Sequence, residues 1–308
     1  MLKGNIVALI TPFNMDGSVN YSKLETLVEY HCFKGTDALL LLGTTSESPT
    51  LSDSEKEEII RCVINQNKKR LKIVIGVSEN KTQNAVINAI KYEKMGADYL
   101  LVLTPFYNKC NKEGLYLHYC CVAGCVKIPI ILYNVPTRTG VNIEPSTYRA
   151  LMNHENIIAI KEANGNISKI VETMSYCCNS LDMYSGNDDQ IVPIMSLGGK
   201  GVISVVSNIL PAKTVELCNK ALKGDFAGAA KLQYDLHAII DSLFCEVNPI
   251  PVKAATAAMG FGTNTLRLPL TPMSEDKYQN MLKLMREQGL NVWLRFLYTA
   301  QTEKWALT

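Results

Sequence analysis

The length, composition and charge of the chain exclude several kinds of protein. It has 308 residues, 47% of them hydrophobic, and its 31 basic and 29 acidic side chains leave a net charge of +2. This near balance does not predict a nucleic acid or a membrane surface as partner. No apolar run approaches the roughly 18 residues of a membrane-spanning helix, and the start of the sequence lacks a cleavable signal pattern. We therefore expect a soluble, cytoplasmic protein.

Ten cysteines are scattered through apolar or helical segments. In a chain without an export pattern, we expect reduced core thiols and not a disulfide framework. His118, Cys120 and Cys125 form a loose His-x-Cys-x4-Cys set, for which a helix packed by small residues is a simpler interpretation than a metal site. We expect no metal and no cofactor.

Short β-branched runs alternate with longer segments of helical period through the first two-thirds of the chain, a pattern typical of repeated βα units. One helix is predicted to begin at Ser52, followed by Asp-Ser-Glu, and another to end at Gly96. Eight strands are predicted, at residues 5–10, 37–42, 72–77, 98–104, 129–134, 157–161, 182–186 and 201–206.

The strands are apolar on both faces and separated by helices, which indicates a parallel α/β sheet covered on both sides. Eight such units in succession predict a closed (β/α)8 TIM barrel. A doubly wound open sheet is the alternative, but no strand is followed by the Gly-x-Gly-x-x-Gly turn of a dinucleotide-binding fold.

No strand is predicted after residue 210. The remaining sequence indicates two helices broken at Lys223 and Gly224, and then two more. We therefore predict a catalytic barrel over residues 1–210, a helical C-terminal domain over 211–290 and a tail of unknown role over 291–308.

The active site of a (β/α)8 barrel lies at the carboxyl ends of its strands. The segments that follow the predicted strands contain a lysine, two tyrosines, an arginine and several hydroxyls, whereas all four histidines fall in helical segments. A hydrolase with a histidine base, or a metal site built on imidazoles, would need a histidine there. Both classes are therefore disfavoured, and the residues that remain suit carbonyl chemistry.

Lys161 ends the sixth predicted strand and is the candidate nucleophile. Alternation puts it on the face opposite to Ile158 and Ile160, so placing these isoleucines under the helices puts the lysine in the barrel lumen. Burial there would lower the pKa of the amine from about 10.4 toward 7 or 8, and a neutral amine attacks a keto group to form a Schiff base. The alternatives are a lysine that snorkels from the strand end, or one that pairs with Glu162.

Four more residues follow strand ends and have two interpretations each. Tyr133 can act as a proton donor and acceptor beside the lysine, or it is an interior aromatic residue. Arg138 suits a carboxylate, although a surface arginine on a turn is as common. The hydroxyls of Thr44 and Thr45 can relay a proton or bind a carboxylate; alternatively, they only stabilise the conformation of the turn.

Three motifs occur in order along the chain: GTTSE at 43–47, YNVPTRTG at 133–140 and IIAIKEANG at 157–165. In sequence and spacing they resemble the class I aldolase family of dihydrodipicolinate synthase and N-acetylneuraminate lyase. The likeness runs from about residue 4 to 289. It implies a (β/α)8 barrel with a helical C-terminal domain, assembled as a homotetramer of two tight dimers.

The resemblance also implies roles for single residues. Lys161 matches the lysine that forms a Schiff base with pyruvate, and Tyr133 matches the tyrosine that shuttles protons around it. Thr44 matches a relay hydroxyl, with Thr45 beside it toward the pyruvate carboxylate. Tyr107 matches the tyrosine that a neighbouring subunit inserts to complete the relay.

The resemblance favours the synthase branch of the family. There an arginine at the position of Arg138 holds the carboxylate of aspartate semialdehyde, whereas the sialic acid lyases lack it and tend to have a bulky residue and a threonine in place of Glu162 and Ala163. The backbones of Gly186 and Ile203 match positions that line the pocket. The reaction implied joins pyruvate and L-aspartate 4-semialdehyde on the diaminopimelate route to lysine; another pyruvate-dependent aldolase and a catalytically silent barrel stay open as alternatives.

Two features depart from the family pattern. Ser46 replaces the usual glycine of GTTGE, which would alter the turn if that glycine has positive φ. Lys56 stands at the dimer interface where sensitive members bind lysine as an inhibitor, and its cation would repel the ammonium of that effector. We therefore predict that lysine does not inhibit this protein.

Overall fold

A computed structural model describes residues 2–178 and 180–292. The strands are Gly4–Ala8 (β1), Ala38–Leu41 (β2), Lys72–Val77 (β3), Tyr99–Leu103 (β4), Ile130–Asn134 (β5), Ile157–Glu162 (β6), Asp182–Ser185 (β7) and Gly201–Ser204 (β8). All neighbours pair in parallel in chain order, and β8 pairs with β1 to close the ring, with Gly201 opposite Gly4. The predicted eight-stranded barrel is confirmed.

Helices follow the strands and cover the barrel. They are Tyr21–Phe33 (α1), Asp53–Asn67 (α2), Thr82–Met95 (α3), Lys112–Ala123 (α4), Pro136–Thr139 (α5), Pro145–Leu151 (α6), Ile167–Cys177 (α7), Ile191–Ser196 (α8), Pro211–Leu222 (α9), Phe226–Leu243 (α10), Ile250–Ala258 (α11) and Glu275–Glu287 (α12). As predicted, α2 begins with a capping box between Ser52 and Glu55, and α3 ends at Gly96, whose φ is 105°. No helix in the described part of the chain is long and apolar enough to cross a membrane.

The buried apolar side chains form two separate cores. The inner core fills the barrel and includes Ile6, Leu40 and Val74. The outer core lies between the barrel and the helices and includes the strand neighbours Val7 and Leu39. This division follows from the two-residue period of a strand, which sends successive side chains to opposite faces. Because both faces are packed, a polar group at the end of a strand is held by rigid neighbours.

Four helices, α9 to α12, follow β8, and the described residues after Ser204 contain no further strand. The break between α9 and α10 falls at Lys223 and Gly224, where the sequence predicted it. Helix α9 packs against β1 as well as against α10, so it covers the barrel at the point where the ring closes. The division into domains at residue 210 stays a prediction, and residues 293–308 of the predicted tail lie outside the described residues.

Candidate active site

Lys161 on β6 and Tyr133 on β5 are partners in the register of the two strands. Parallel neighbours in register carry their side chains at the same height and on the same face, and Tyr133 belongs to the inner core. The register shifts between Ile157 and Ala159, so that Ile158 contacts the inner core and not the helices as alternation predicted. From Ala159 onward the alternation holds, and it directs Lys161 into the lumen.

A cavity of about 170 Å³ opens at the carboxyl ends of the strands. Six of the eight predicted site residues line it: Thr44, Thr45, Tyr133, Arg138, Lys161 and Gly186. Other lining residues come from the turn after β3, the end of β8 and the segment before α11, among them Ser78, Val205 and Asn248. Six site residues predicted from separate parts of the sequence therefore line the same cavity.

The other two predicted site residues do not line this cavity. Tyr107 is 89% exposed and has a left-handed backbone with a φ of 62°. The residue before it, Phe106, is fixed because its amide donates to Oδ1 of Asn80 and its carbonyl accepts from Nδ2 of the same side chain at 2.7 Å. Ile203 is buried in the inner core, and Val205 is the residue that reaches the cavity from this part of the chain.

The pKa of the Lys161 amine is shifted far from its ordinary value. Burial lowers its pKa to about 7; the carboxylate of Asp188 opposes this shift, and the guanidinium of Arg138 adds to it. The side chain is 6% exposed, and Nζ lies 4.2 Å from the centroid of the Tyr133 ring. Near neutral pH a large fraction of the amine is therefore unprotonated, the form that attacks a carbonyl carbon.

Tyr133 keeps its proton in this site. Burial raises the pKa of the phenol to about 12, although the Arg138 charge and a hydrogen bond with the Thr44 hydroxyl act in the opposite direction. A protonated phenol that is bonded to a second hydroxyl can pass a proton in either direction. The hydrogen bond between Thr44 and Tyr133 thus makes a proton relay beside the amine chemically possible.

The segment before α11 connects two predicted substrate-binding residues. Arg138 lies on the short helix α5, which ends at Gly140 with a φ of 69°, and its Nη2 donates to the carbonyl of Asn248 at 3.2 Å. The side-chain amide of Asn248 donates to the hydroxyl oxygen of Thr45 at 3.0 Å. One residue therefore holds both the guanidinium and the threonine at the cavity.

Glu162 faces away from Lys161, as strand alternation requires. It is fully buried beneath the helices, where its carboxylate accepts from Nδ2 of Asn134 at 2.9 Å and from the phenol of Tyr148 at 3.3 Å. Burial raises the pKa of this carboxyl to about 7, and these hydrogen bonds only partly offset the shift. The alternative of a surface ion pair between the two residues is excluded, because neither side chain lies at the surface.

Gly186 lines the cavity where no larger residue fits. A Cβ atom there would lie 2.7 Å from the Cβ of Ala163 and 2.9 Å from the carbonyl oxygen of Glu162. The amide of Gly186 donates to that same carbonyl at 2.7 Å, which draws the two strand ends together. The absent side chain leaves the backbone beside the lysine open to a ligand.

The turn that carries the two threonines accepts a serine without backbone strain. Ser46 does not have a positive φ; the left-handed residue is Glu47, at 54°. The hydroxyl of Ser46 donates to the carbonyl of Leu9 at 2.7 Å, so it ties the turn to the end of β1. The substitution of the family's usual glycine therefore leaves the conformation of the turn intact.

Asp188 follows the seventh predicted strand but had no predicted role, and Asn248 was not predicted to belong to the site. One carboxylate oxygen of Asp188 accepts from the amides of Val205 and Val206 at 2.9 and 2.8 Å, and a hydrogen bond with the Ser204 side chain also stabilises the charged form. Asp188 is one of two adjacent aspartates, and strand alternation does not say which of them turns inward. Asn248 meets Thr45 across 203 residues of sequence, and no local pattern reports such a contact.

His118 and Cys120 of the loose histidine–cysteine set have different contact partners. Nδ1 of His118 lies 3.0 Å from the hydroxyl of Thr82, and the sulfur of Cys120 lies 3.1 Å from Nε2 of His154. Among the described residues no three histidine, cysteine or acidic side chains are grouped as metal ligands.

Comparison with known proteins assigns the family. A model of the Dihydrodipicolinate synthetase family matches residues 1–288, nearly the whole chain. The chain belongs to this family. Family membership makes it an enzyme of the lyase class and agrees with the resemblance that the three motifs carried.

Individual members of the family cover the chain almost completely. The 4-hydroxy-tetrahydrodipicolinate synthase of Caldicellulosiruptor saccharolyticus is 47% identical over 292 residues, which are 95% of this chain and 99% of the relative. The solved dihydrodipicolinate synthase of Acinetobacter baumannii, described as chloride inhibited and complexed with pyruvate, has a TM-score of 0.92 at 38% identity, over 94% of this chain and 100% of that one. A solved variant described as monomeric has a TM-score of 0.92 at 39% identity, over 94% and 97% of the two chains.

Proposed function

We propose that the chain is a 4-hydroxy-tetrahydrodipicolinate synthase, which condenses pyruvate with L-aspartate 4-semialdehyde on the diaminopimelate route to lysine. The observation that carries the proposal is the amine of Lys161, 6% exposed, with a pKa lowered to about 7, at the carboxyl end of the barrel. The family assignment supplies the reaction class, and the cavity contains a lysine, a tyrosine, threonine hydroxyls and an arginine that suit this reaction.

The first half-reaction joins pyruvate to the enzyme. The neutral amine of Lys161 attacks the keto carbon of pyruvate, and the resulting carbinolamine loses water to give an iminium ion. Tyr133 protonates the departing hydroxyl and later accepts a proton, with Thr44 as its hydrogen-bonded partner. The position of the Lys161 amine 4.2 Å from the Tyr133 ring centroid supports this transfer.

The pyruvate carboxylate binds at the opposite wall. Thr45 offers a hydroxyl there, and its orientation is fixed by the hydrogen bond that it accepts from Asn248. The open backbone at Gly186 leaves room for the small methyl-keto acid. We assign backbone contacts to Gly186 and expect Ile203 to act through the inner core beneath the substrate.

The second half-reaction makes the carbon–carbon bond. Loss of a proton from the methyl carbon turns the iminium ion into an enamine, which attacks the aldehyde carbon of the semialdehyde; the alkoxide that forms takes up a proton. The amine of the semialdehyde then attacks the iminium carbon, displaces Lys161 and closes the ring. Arg138, a charged fork at the edge of the cavity, binds the semialdehyde carboxylate.

We further propose that a neighbouring subunit completes the site. Tyr107 is 89% exposed and lies outside the cavity of its own chain, so it is available to enter the relay of a second copy. This arrangement requires at least a dimer, and we propose a cytoplasmic homotetramer made of two such dimers. Because one relative is described as monomeric, family membership alone does not fix the assembly.

Borohydride reduction in the presence of pyruvate tests the Schiff base. We expect a stable pyruvyl adduct on Lys161 by peptide mass spectrometry and none in Lys161→Ala. Absence of the adduct in the unmodified enzyme would refute the proposal. Turnover of pyruvate with the semialdehyde, compared with cleavage of sialic acid and of 2-keto-3-deoxy sugar acids, then separates the synthase from other pyruvate-dependent aldolases.

A further inference from the structure

Helix α11 reaches back to the turn that carries Thr44 and Thr45. Lys253, in the first half of α11, is 1% exposed, and its Nζ lies 2.9 Å from Oε1 of Glu47. Glu47 is 2% exposed and closes the turn. A lysine of the C-terminal helices is thus paired, inside the protein, with a carboxylate directly behind the relay threonine.

Lys253 holds the turn by a second route as well. Its Nζ donates to the carbonyl of Thr11 at 2.7 Å and lies 3.9 Å from the centroid of the Phe13 ring. The hydroxyl of Thr11 in turn donates to the carbonyl of Ser46 at 2.8 Å. The ammonium is therefore connected to both residues that follow Thr45.

The turn adopts a conformation that needs such support. Glu47 has a φ of 54°, a left-handed region that residues with a side chain seldom occupy and that persists where the surroundings enforce it. The second oxygen of its carboxylate accepts from the amide of Arg267 at 3.1 Å. The side chain of Glu47 is thus held from two distant segments, α11 and the loop before α12.

Folding stability does not explain a buried ion pair well, since an apolar pair of similar volume is often as stable or more stable. Burial in addition lowers the pKa of Lys253 to about 8, which shows that its charge is held at a cost. What the pair provides is a defined geometry for the turn. The pair lies directly behind the turn that carries Thr44 and Thr45.

We propose that Lys253 is a positioning residue of the active site: through Glu47 and Thr11 it holds the 44–47 turn so that Thr44 meets Tyr133 and Thr45 faces the cavity. The inference rests on the proposed function, in which Thr45 binds the pyruvate carboxylate. Arg138 is held separately, by the backbone carbonyl of Asn248. The two substrates should therefore respond differently when Lys253 is changed.

The test is steady-state kinetics of Lys253→Met. We expect the KM for pyruvate to rise about tenfold or more, because a small displacement of a binding group is costly, while the KM for the semialdehyde changes less than about twofold. Thr214→Ala is the matched control: it removes a fully buried hydroxyl that donates to the carbonyl of Leu210 at 3.0 Å on α9, outside the residues that line the cavity. It should lower thermal stability without changing either KM.

The double variant Glu47→Gln/Lys253→Met separates positioning from stability, since it leaves no unpaired buried charge. We expect stability close to that of the unmodified enzyme together with a pyruvate KM that stays raised. A normal pyruvate KM in this variant, or failure of both variants to fold, shows a structural role and overturns the inference. If the unmodified enzyme forms no pyruvate adduct under borohydride, the proposed function itself has failed.

Discussion

The amine of Lys161 lies 4.2 Å from the centroid of the Tyr133 ring, and the two residues are register partners on adjacent strands of a closed barrel. Burial moves their pKa values in opposite directions, to about 7 for the amine and about 12 for the phenol. Near pH 7 about half of the amine is neutral and able to attack, whereas the phenol still holds its proton. The division of roles between nucleophile and proton donor follows from the shared environment.

Replacing Lys161 with methionine should abolish the pyruvate adduct and stabilise the fold. The folded-state pKa of the lysine lies near 7, below its unfolded value of about 10.4. The unfolded chain therefore binds more protons between these pH values, and this residue destabilises the native state increasingly as the pH falls from 10 to 7. We expect Lys161→Met to gain about 2–4 kcal/mol at pH 7 and almost nothing near pH 11.

Urea unfolding of Lys161→Met and the unmodified enzyme at both pH values measures this gain. Lys3→Met, a change at an exposed lysine, serves as the control and should show no such pH dependence. An equal gain for Lys161→Met at the two pH values would contradict the lowered pKa.

Glu162→Gln should retain adduct formation, because the carboxyl group faces away from the amine. The folded-state pKa of Glu162 is raised to about 7 from an ordinary value of 4.5, so its carboxyl destabilises the native state as the pH rises through this window. In the variant we expect the fall in stability between pH 4.5 and 7 to be smaller by about 1–3 kcal/mol. Thermal melts across that range measure the stability change, and borohydride trapping with pyruvate measures adduct formation. Loss of trapping in a folded variant would show that Glu162 takes part in the chemistry.

Arg138→Ala should impair use of the semialdehyde and spare the pyruvate step. In the proposed mechanism the guanidinium binds the carboxylate of the semialdehyde. Because the variant lacks this charge, we expect kcat/KM for the semialdehyde to fall about 100-fold or more. Borohydride trapping with pyruvate should stay within about twofold. Because the Arg138 charge also lowers the pKa of Lys161, the pH profile of trapping should move upward.

Arg138→Lys is the matched control for the semialdehyde site. It keeps the charge but not the fork, and it should recover only part of the lost kcat/KM. Equal loss of trapping and of semialdehyde use in Arg138→Ala would speak against the assignment of this residue to the second substrate.

Lysine should not inhibit the enzyme. The family resemblance implies that Lys56 places an ammonium at the effector position of the dimer interface, and its contact with the exposed carboxylate of Asp53 at 3.5 Å is a pair of small energetic value. We expect initial rates to be unchanged in millimolar lysine. Lys56→Gln tests whether the cation is the cause: insensitivity that persists there would assign it to other residues, and clear inhibition of the unmodified enzyme would refute the prediction.

The barrel could be predicted because parallel strands that are buried on both faces appear as short apolar runs. Each observed strand lies within two residues of its predicted bounds. The largest differences are at the ends of β1, predicted at residue 10 and observed at Ala8, and of β8, predicted at residue 206 and observed at Ser204. Local alternation also placed Lys161 in the lumen correctly. It failed at Ile158, since a register shift depends on the neighbouring strand and not on the strand itself.

The contacts that position the site could not be predicted in this way. Thr45 and Asn248, like Glu47 and Lys253, meet across most of the sequence, and each pair depends on how the C-terminal helices dock on the barrel. The positive φ of Glu47 could not be predicted either, because the family pattern has its glycine one residue earlier, at the position of Ser46. Sequence motifs led to the proposed reacting groups, whereas the fold determines which residues orient them.

The inner core gives the cavity a closed floor. Ile6, Leu40 and Val74 are buried in this core, so the barrel interior is filled by side chains and is not a passage. The water released when the Schiff base forms must leave by the opening through which the second substrate enters. In the proposed reaction the two condensation partners therefore cannot approach from opposite ends of the barrel, and both must enter at the carboxyl ends of the strands.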